Sequence, residues 1–135
     1  MDEEVTTARG TAGPIRGDVK SATVSVERRD AGAVVHVRGE IEFGNSDEVR
    51  ADLLATIPDD GPGLILDLTE TTYLSSSGVR LLYDVAERLD VRDQRLVLVA
   101  TNEGMIRRVV ALTKLESLVS LVATVDEALT ALRQV

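Results

Sequence analysis

The sequence contains no cysteine and no tryptophan, and aromatic residues make up only 2% of its 135 positions. Without thiols there is no disulfide, no thiolate metal site and no cysteine nucleophile, and nothing ties the chain to an oxidising compartment. A reducing cytoplasm is the expected setting. With one Phe and two Tyr, the core has to be packed from Val, Leu, Ile and Ala. The single histidine, His36, has no second imidazole with which to build a histidine metal cluster or a proton relay. It alternates with Val35 and Val37, which places it on the less buried face of a strand.

Long apolar runs are also missing. Nothing approaches the roughly 20 residues needed to cross a bilayer, and the acidic opening MDEEVTTARG is followed by no apolar stretch of the kind a secretory signal carries. Membrane insertion and standard export are therefore not expected. Basic residues are outnumbered, 15 Lys and Arg against 23 Asp and Glu for a net charge of -8, which opposes phosphate backbones. Arg107-Arg108 is too short a basic pair to reverse that, so no direct contact with nucleic acid is expected.

What is present fits one α/β domain. Residues 1–21, rich in Thr, Gly and charge, show hardly any apolar periodicity and read as a disordered tail, leaving 22–135 as the domain. Val24 and Val26, then Val35 and Val37, alternate with polar residues on either side of Ala31-Gly32, the pattern of two strands joined by a tight turn. Glu40 to Asn45 reads as a loop, after which Asn45 or Ser46 caps a helix carrying Val49, Leu53 and Leu54.

Leu64 to Leu68 is a short apolar run suited to a buried strand. A helix then starts at Ser75 or Ser76, with Val79, Leu82, Val85, Ala86 and Leu89 on one face. Leu96 to Val99 repeats the buried-strand pattern. Asn102 is placed to cap a helix with Ile106, Val109 and Val110, and an apolar segment at Leu118 to Val122 precedes a last helix with Val125, Ala128, Leu129 and Leu132. Strands alternating with helices give parallel pairing and the opening hairpin adds antiparallel pairing, so the expected fold is a mixed β-sheet packed with about four α-helices.

The segment Leu64-Ile65-Leu66-Asp67-Leu68-Thr69 followed by Tyr73-Leu74-Ser75-Ser76-Ser77-Gly78-Val79-Arg80 resembles the centre of STAS domains. There, a buried strand ending in Asp-Leu-Ser/Thr leads to an Asp-Ser-Ser/Thr-Gly turn and a helix. Gly39-Glu40-Ile41-Glu42 similarly resembles that family's Gly-Glu-Leu/Ile-Asp loop, and the order of elements matches from about Thr23 onward. The chain departs from the commoner pattern at Ser75, where many members carry aspartate, and mildly at Glu42.

The resemblance implies an anti-sigma factor antagonist without catalytic groups, metal or cofactor of its own. Its unphosphorylated form would bind an anti-sigma factor with serine kinase activity and free the sigma factor. Phosphorylation would reverse this, and a serine phosphatase would reset the cycle. Matched position by position, Ser76 is the phosphoacceptor, with Ser75 and Ser77 as alternatives. Glu40, Glu42, Ser75, Ser76, Ser77 and Gly78 form the partner-binding set. Glu40, Glu42, Asp67 and Glu70 are expected around the serine, where an added phosphate would deepen a negative field.

Two rival readings remain open at this level. A non-phosphorylated STAS scaffold or transporter-accessory module uses the same fold, which does not itself decide function. A serine hydrolase would need a nucleophile at the turn, but Leu74-Ser75-Ser76-Ser77-Gly78 lacks the first glycine of Gly-x-Ser-x-Gly and the histidine lies on an early strand. Serines before helices are also ordinary caps, and Asp67 also suits a strand-ending role, bonded to backbone amides.

Overall fold

The alternation of Val24 and Val26 with polar residues becomes a strand with one buried face, β2 (Ala22–Arg29), while Val35 and Val37 lie on one face of β3 (Gly32–Ile41), whose Val34 is buried on the other. The computed structural model describes residues 4–10, 22–29 and 32–133. β2 and β3 pair antiparallel from Ala22 opposite Gly39 to Arg29 opposite Gly32. Residues 30–31 of the expected turn lie outside the described residues.

From β3 onward the chain alternates. α1 (Ser46–Ala55) leads to β4 (Gly63–Asp67), β5 (Thr71–Leu74), α2 (Ser76–Val91) and β6 (Arg95–Val99). α3 (Met105–Ala111), a 3-10 turn (Lys114–Ser117), β7 (Val119–Val122) and α4 (Val125–Arg133) complete it. β4 pairs parallel with β3 and β6, and β6 pairs parallel with β7. With β1 (Glu4–Gly10) on the outside of β2, the sheet runs β1-β2-β3-β4-β6-β7, and β5 pairs with the end of β3.

This is the mixed sheet with four α-helices that the sequence pattern implies. Leu64, Ile65 and Leu66 are all fully buried, because their strand is covered on both faces. On one face Val35, Leu66 and Leu98 pack with Val49 and Leu53 of α1 and with Leu81, Leu82, Val85, Ala86 and Leu89 of α2. On the other, Val34, Ile65, Val97 and Val99 pack under Ala128, Leu129 and Leu132 of α4. The buried hydrophobic side chains are all aliphatic, and burying each Leu or Ile contributes about 1.5–3 kcal/mol.

Several local expectations are corrected. Within the segment read as a disordered tail, Glu4–Gly10 form β1, antiparallel to β2; backbone pairing to an open edge needs no apolar period. Residues 1–3 and 11–21 lie outside the described residues. Glu40 and Ile41, read as loop, close β3 because β5 pairs beside them, and β5 itself was not foreseen. The cap of α3 is Gly104 rather than Asn102.

Candidate functional site

The site is built where β4 hands over to β5. Asp67 ends β4 and its Oδ1 accepts the amide of Thr69 at 2.9 Å, while Thr71 N donates to Leu68 O at 3.0 Å. After this turn the chain continues along β3 in the same parallel direction as β4, with Tyr73 opposite Glu40 and Leu74 opposite Ile41. Thr71 Oγ1 anchors it by donating to Val37 O at 2.8 Å. Ser75 N then donates to Ile41 O at 2.9 Å. The two motifs recognised in sequence, Glu40–Glu42 and Ser75–Gly78, therefore meet at one end of the sheet.

Ser75 is the N-cap of α2. Its backbone is extended (φ -81°, ψ 177°), and its Oγ accepts from Gly78 N at 3.3 Å. The Ser75 and Ser77 hydroxyls also share a 2.8 Å hydrogen bond, which leaves both half-buried. Ser76, the first helical residue, is the exposed member of the three. Gly78 makes this packing possible: a Cβ there would sit 2.5 Å from Leu74 Cδ1 and 3.1 Å from Ile41 Cγ2. The helix start is pressed directly onto the two strands that carry the motifs.

The loop after β3 is stitched by Asn45, only 1% exposed. Its Nδ2 donates to Glu40 O at 2.8 Å and its Oδ1 accepts from Glu42 N at 2.9 Å. The expected side-chain cap of α1 is thus spent on the loop, and Asn45 makes no side-chain cap bond. Glu40 and Glu42 are half-buried beside the serine turn. Phe43, at the loop tip, was not singled out by the sequence reading and is 87% exposed.

Asp67 and Glu70 belong to a different cleft. They line a cavity of about 360 Å³ with Ser25, His36, Val37 and Arg38, on the part of the sheet beyond α4. His36 Nδ1 lies 2.8 Å from Asp67 Oδ2 and Nε2 lies 2.9 Å from Glu27 Oε1. Arg38 pairs with Glu70. Hydrogen bonding from His36 is the main cause that holds the Glu27 carboxyl below the usual carboxylate range, opposed by burial and assisted by Arg29.

Both nitrogens of His36 face carboxylates, so the ring presents no free base to a serine. It stands on β3 opposite Ser25, remote from the Ser75–Ser77 turn in sheet register. His36 is therefore not placed to act as a base for a serine at the turn. Among the described residues no grouping of His, Asp and Glu is arranged to hold a metal ion, and no helix is long and apolar enough to cross a membrane.

The comparisons agree with this architecture. An anti-sigma factor antagonist from Mycobacterium paratuberculosis superposes with a TM-score of 0.74 and 33% identity, over 84% of this chain and 96% of that one. SpoIIAA, a Bacillus cell fate determinant solved in its phosphorylated form, gives 0.61 at 22% identity, over 82% and 99% of the two chains. An anti-sigma-factor antagonist (STAS) domain protein from Planctomyces limnophilus gives 0.65 at 19%, over 81% and 96%. The family model for the STAS domain matches residues 23–128, the span that carries both motifs and their meeting point, and the chain belongs to the STAS domain family.

Proposed function

We propose that this chain is an anti-sigma factor antagonist that works in the cytoplasm by partner switching. Its unphosphorylated form binds an anti-sigma factor that is also an ATP-dependent serine kinase, and so frees the sigma factor. Phosphorylation of Ser76 ends that complex, and a serine phosphatase restores it. The chain is substrate and ligand in this cycle, with no catalytic group of its own. The observation that carries the reading is an exposed serine at a helix start, set against the Glu40–Glu42 strand end, in a chain 33% identical to an anti-sigma factor antagonist.

The physics of that position suits a switch. Helix N-terminal amides and the dipole accept an anion, so a phosphate on Ser76 has no reason to unfold α2. The phosphate brings about -1.5 to -2 charges at neutral pH. Its cost falls on a docked partner that has closed around a neutral hydroxyl, because the anion would be desolvated there without planned counter-charges. Glu40 and Glu42 lie at the same end of the sheet, and the groove that holds Ser76 is lined by Arg80 and Lys114 as well as Asp84 and Glu87.

Two variants separate charge from helix stability. Ser76→Asp is expected to weaken binding to the purified anti-sigma factor by at least about tenfold, and Ser76→Ala to keep it within about threefold. Calorimetric titration reads both, and kinase treatment with peptide mapping locates the phosphate. Equal affinities for both folded variants, or stoichiometric phosphate confined to Ser75 or Ser77, would reject the Ser76 switch.

A further inference from the structure

Phe43 is the only phenylalanine of the chain, and it is left 87% exposed while every buried hydrophobic side chain is aliphatic. Exposure at a slack loop tip would mean little, since single surface apolar groups are common. This tip is not slack. Besides the two Asn45 side-chain bonds across the loop, the amides of Asn45 and Ser46 both donate to Glu42 O, at 3.1 and 2.9 Å. A buried amide therefore fixes the loop on both sides of the ring and holds the phenyl in solvent at little further ordering cost, the condition that favours binding energy at an interface.

Its place is equally specific. Ile41, two residues before it, accepts the Ser75 amide, so the phenyl stands at the same end of the sheet as Ser76. Tyr73, 47% exposed, lies opposite Glu40 on the neighbouring strand. Of the other exposed large apolar side chains, Val91 is far from this end of the sheet. It ends α2, about 22 Å along the helix from Ser76 at 1.5 Å per residue, while Leu112 precedes Thr113, Lys114 and Leu115, which line a groove with Ser76. Acidic residues border the loop: Glu42 before the phenyl, Asp47 and Glu48 in the first turn of α1.

We infer that Phe43 is the apolar anchor by which this chain docks its anti-sigma factor, inserting into an apolar socket of the partner that is rimmed by basic residues. The inference rests on the partner-switching reading and adds a second component to it. Ser76 decides whether the faces can close, and Phe43 supplies much of the affinity once they do. Rigid aromatic side chains at the centre of a desolvated patch are the usual carriers of interface energy.

The test is titration calorimetry of the full chain against the purified anti-sigma factor. Phe43→Ala is expected to raise Kd by about 30-fold or more, and Phe43→Leu, which keeps an apolar group, by clearly less. Val91→Ala, a comparably exposed apolar residue at the far end of α2, is expected to stay within about twofold. Melting temperatures of all three should match the unsubstituted chain within about 2 °C, since none of these side chains is buried. A Phe43→Ala variant that binds within about threefold of the unsubstituted chain overturns the anchor and leaves the Ser76 switch standing, and so does a Val91→Ala loss as large as that of Phe43→Ala. Failure of the unsubstituted chain to bind any anti-sigma factor overturns the partner-switching reading itself, and the anchor with it.

Discussion

His36 sits between two valines on β3, a pattern that gives its face but not its partners. Those partners are Glu27, nine residues back on β2, and Asp67, 31 residues ahead at the end of β4. Only strand register brings them together, which is why the sequence showed Asp67 as a strand-ending acid and left Glu27 unremarked. Removing the imidazole by His36→Ala strips two half-buried carboxylates of their shared partner and is expected to cost about 1–3 kcal/mol near neutral pH. The pH dependence has a definite sign. Glu27 titrates lower in the folded chain than its ordinary value of 4.5, so its contribution is present above that value and is lost as pH falls through the folded one. Chemical denaturation of both proteins between about pH 7 and pH 3 should show the gap narrowing on the acid side. A gap that stays constant through the whole range would mean that Glu27 draws nothing from His36.

At the scale of one element, the start of α2 divides labour among three serines that look interchangeable in sequence. Ser75 caps the helix through Gly78 N, Ser77 shares a hydrogen bond with Ser75, and Ser76 is turned outward. Ser75→Ala is therefore expected to lose about 0.5–2 kcal/mol, whereas Ser76→Ala should stay within about 0.5 kcal/mol. Ser75→Asp should recover the cap, since aspartate is as good an N-cap as serine. Urea unfolding midpoints order the three variants, and a larger loss at Ser76 would assign the cap there instead. Elements with a strong apolar period were legible: α2, α4, the β2–β3 hairpin and the buried strands β4 and β6 all lie where the spacing put them. β5 was not, because Thr71 and Leu74 are buried while Thr72 and Tyr73 between them are exposed, so its four residues show no alternation. The loop anchored by Asn45 escaped for a related reason. A residue that suits a helix cap by type was used to bridge Glu40 and Glu42.

Across the whole molecule, the meeting of the two family motifs was legible because each is local and the strand order joins them, whereas the outer strand was not. β1 offers no apolar period to read, and its evidence is its pairing with β2 from Glu4 opposite Arg28 to Gly10 opposite Thr23. The register shifts once between Thr7 and Arg9, an irregularity typical of edge strands. The consequence concerns solubility. Without β1, the eight residues of β2 become the sheet edge and present a row of unpaired amides and carbonyls, twice as long as the four-residue edge strand β7 at the other side. Such an edge is a template for a second chain. Deletion of residues 1–10 is expected to make the protein self-associate more strongly than the full chain at matched concentration. The same deletion should speed hydrogen exchange at β2 amides, while β4 and β6 amides, buried in the centre of the sheet, stay protected. Sedimentation velocity over a concentration series measures the first effect and exchange mass spectrometry the second. A truncated chain that sediments like the full one at every concentration, with β2 amides equally protected, would show that residues 4–10 do not guard this edge.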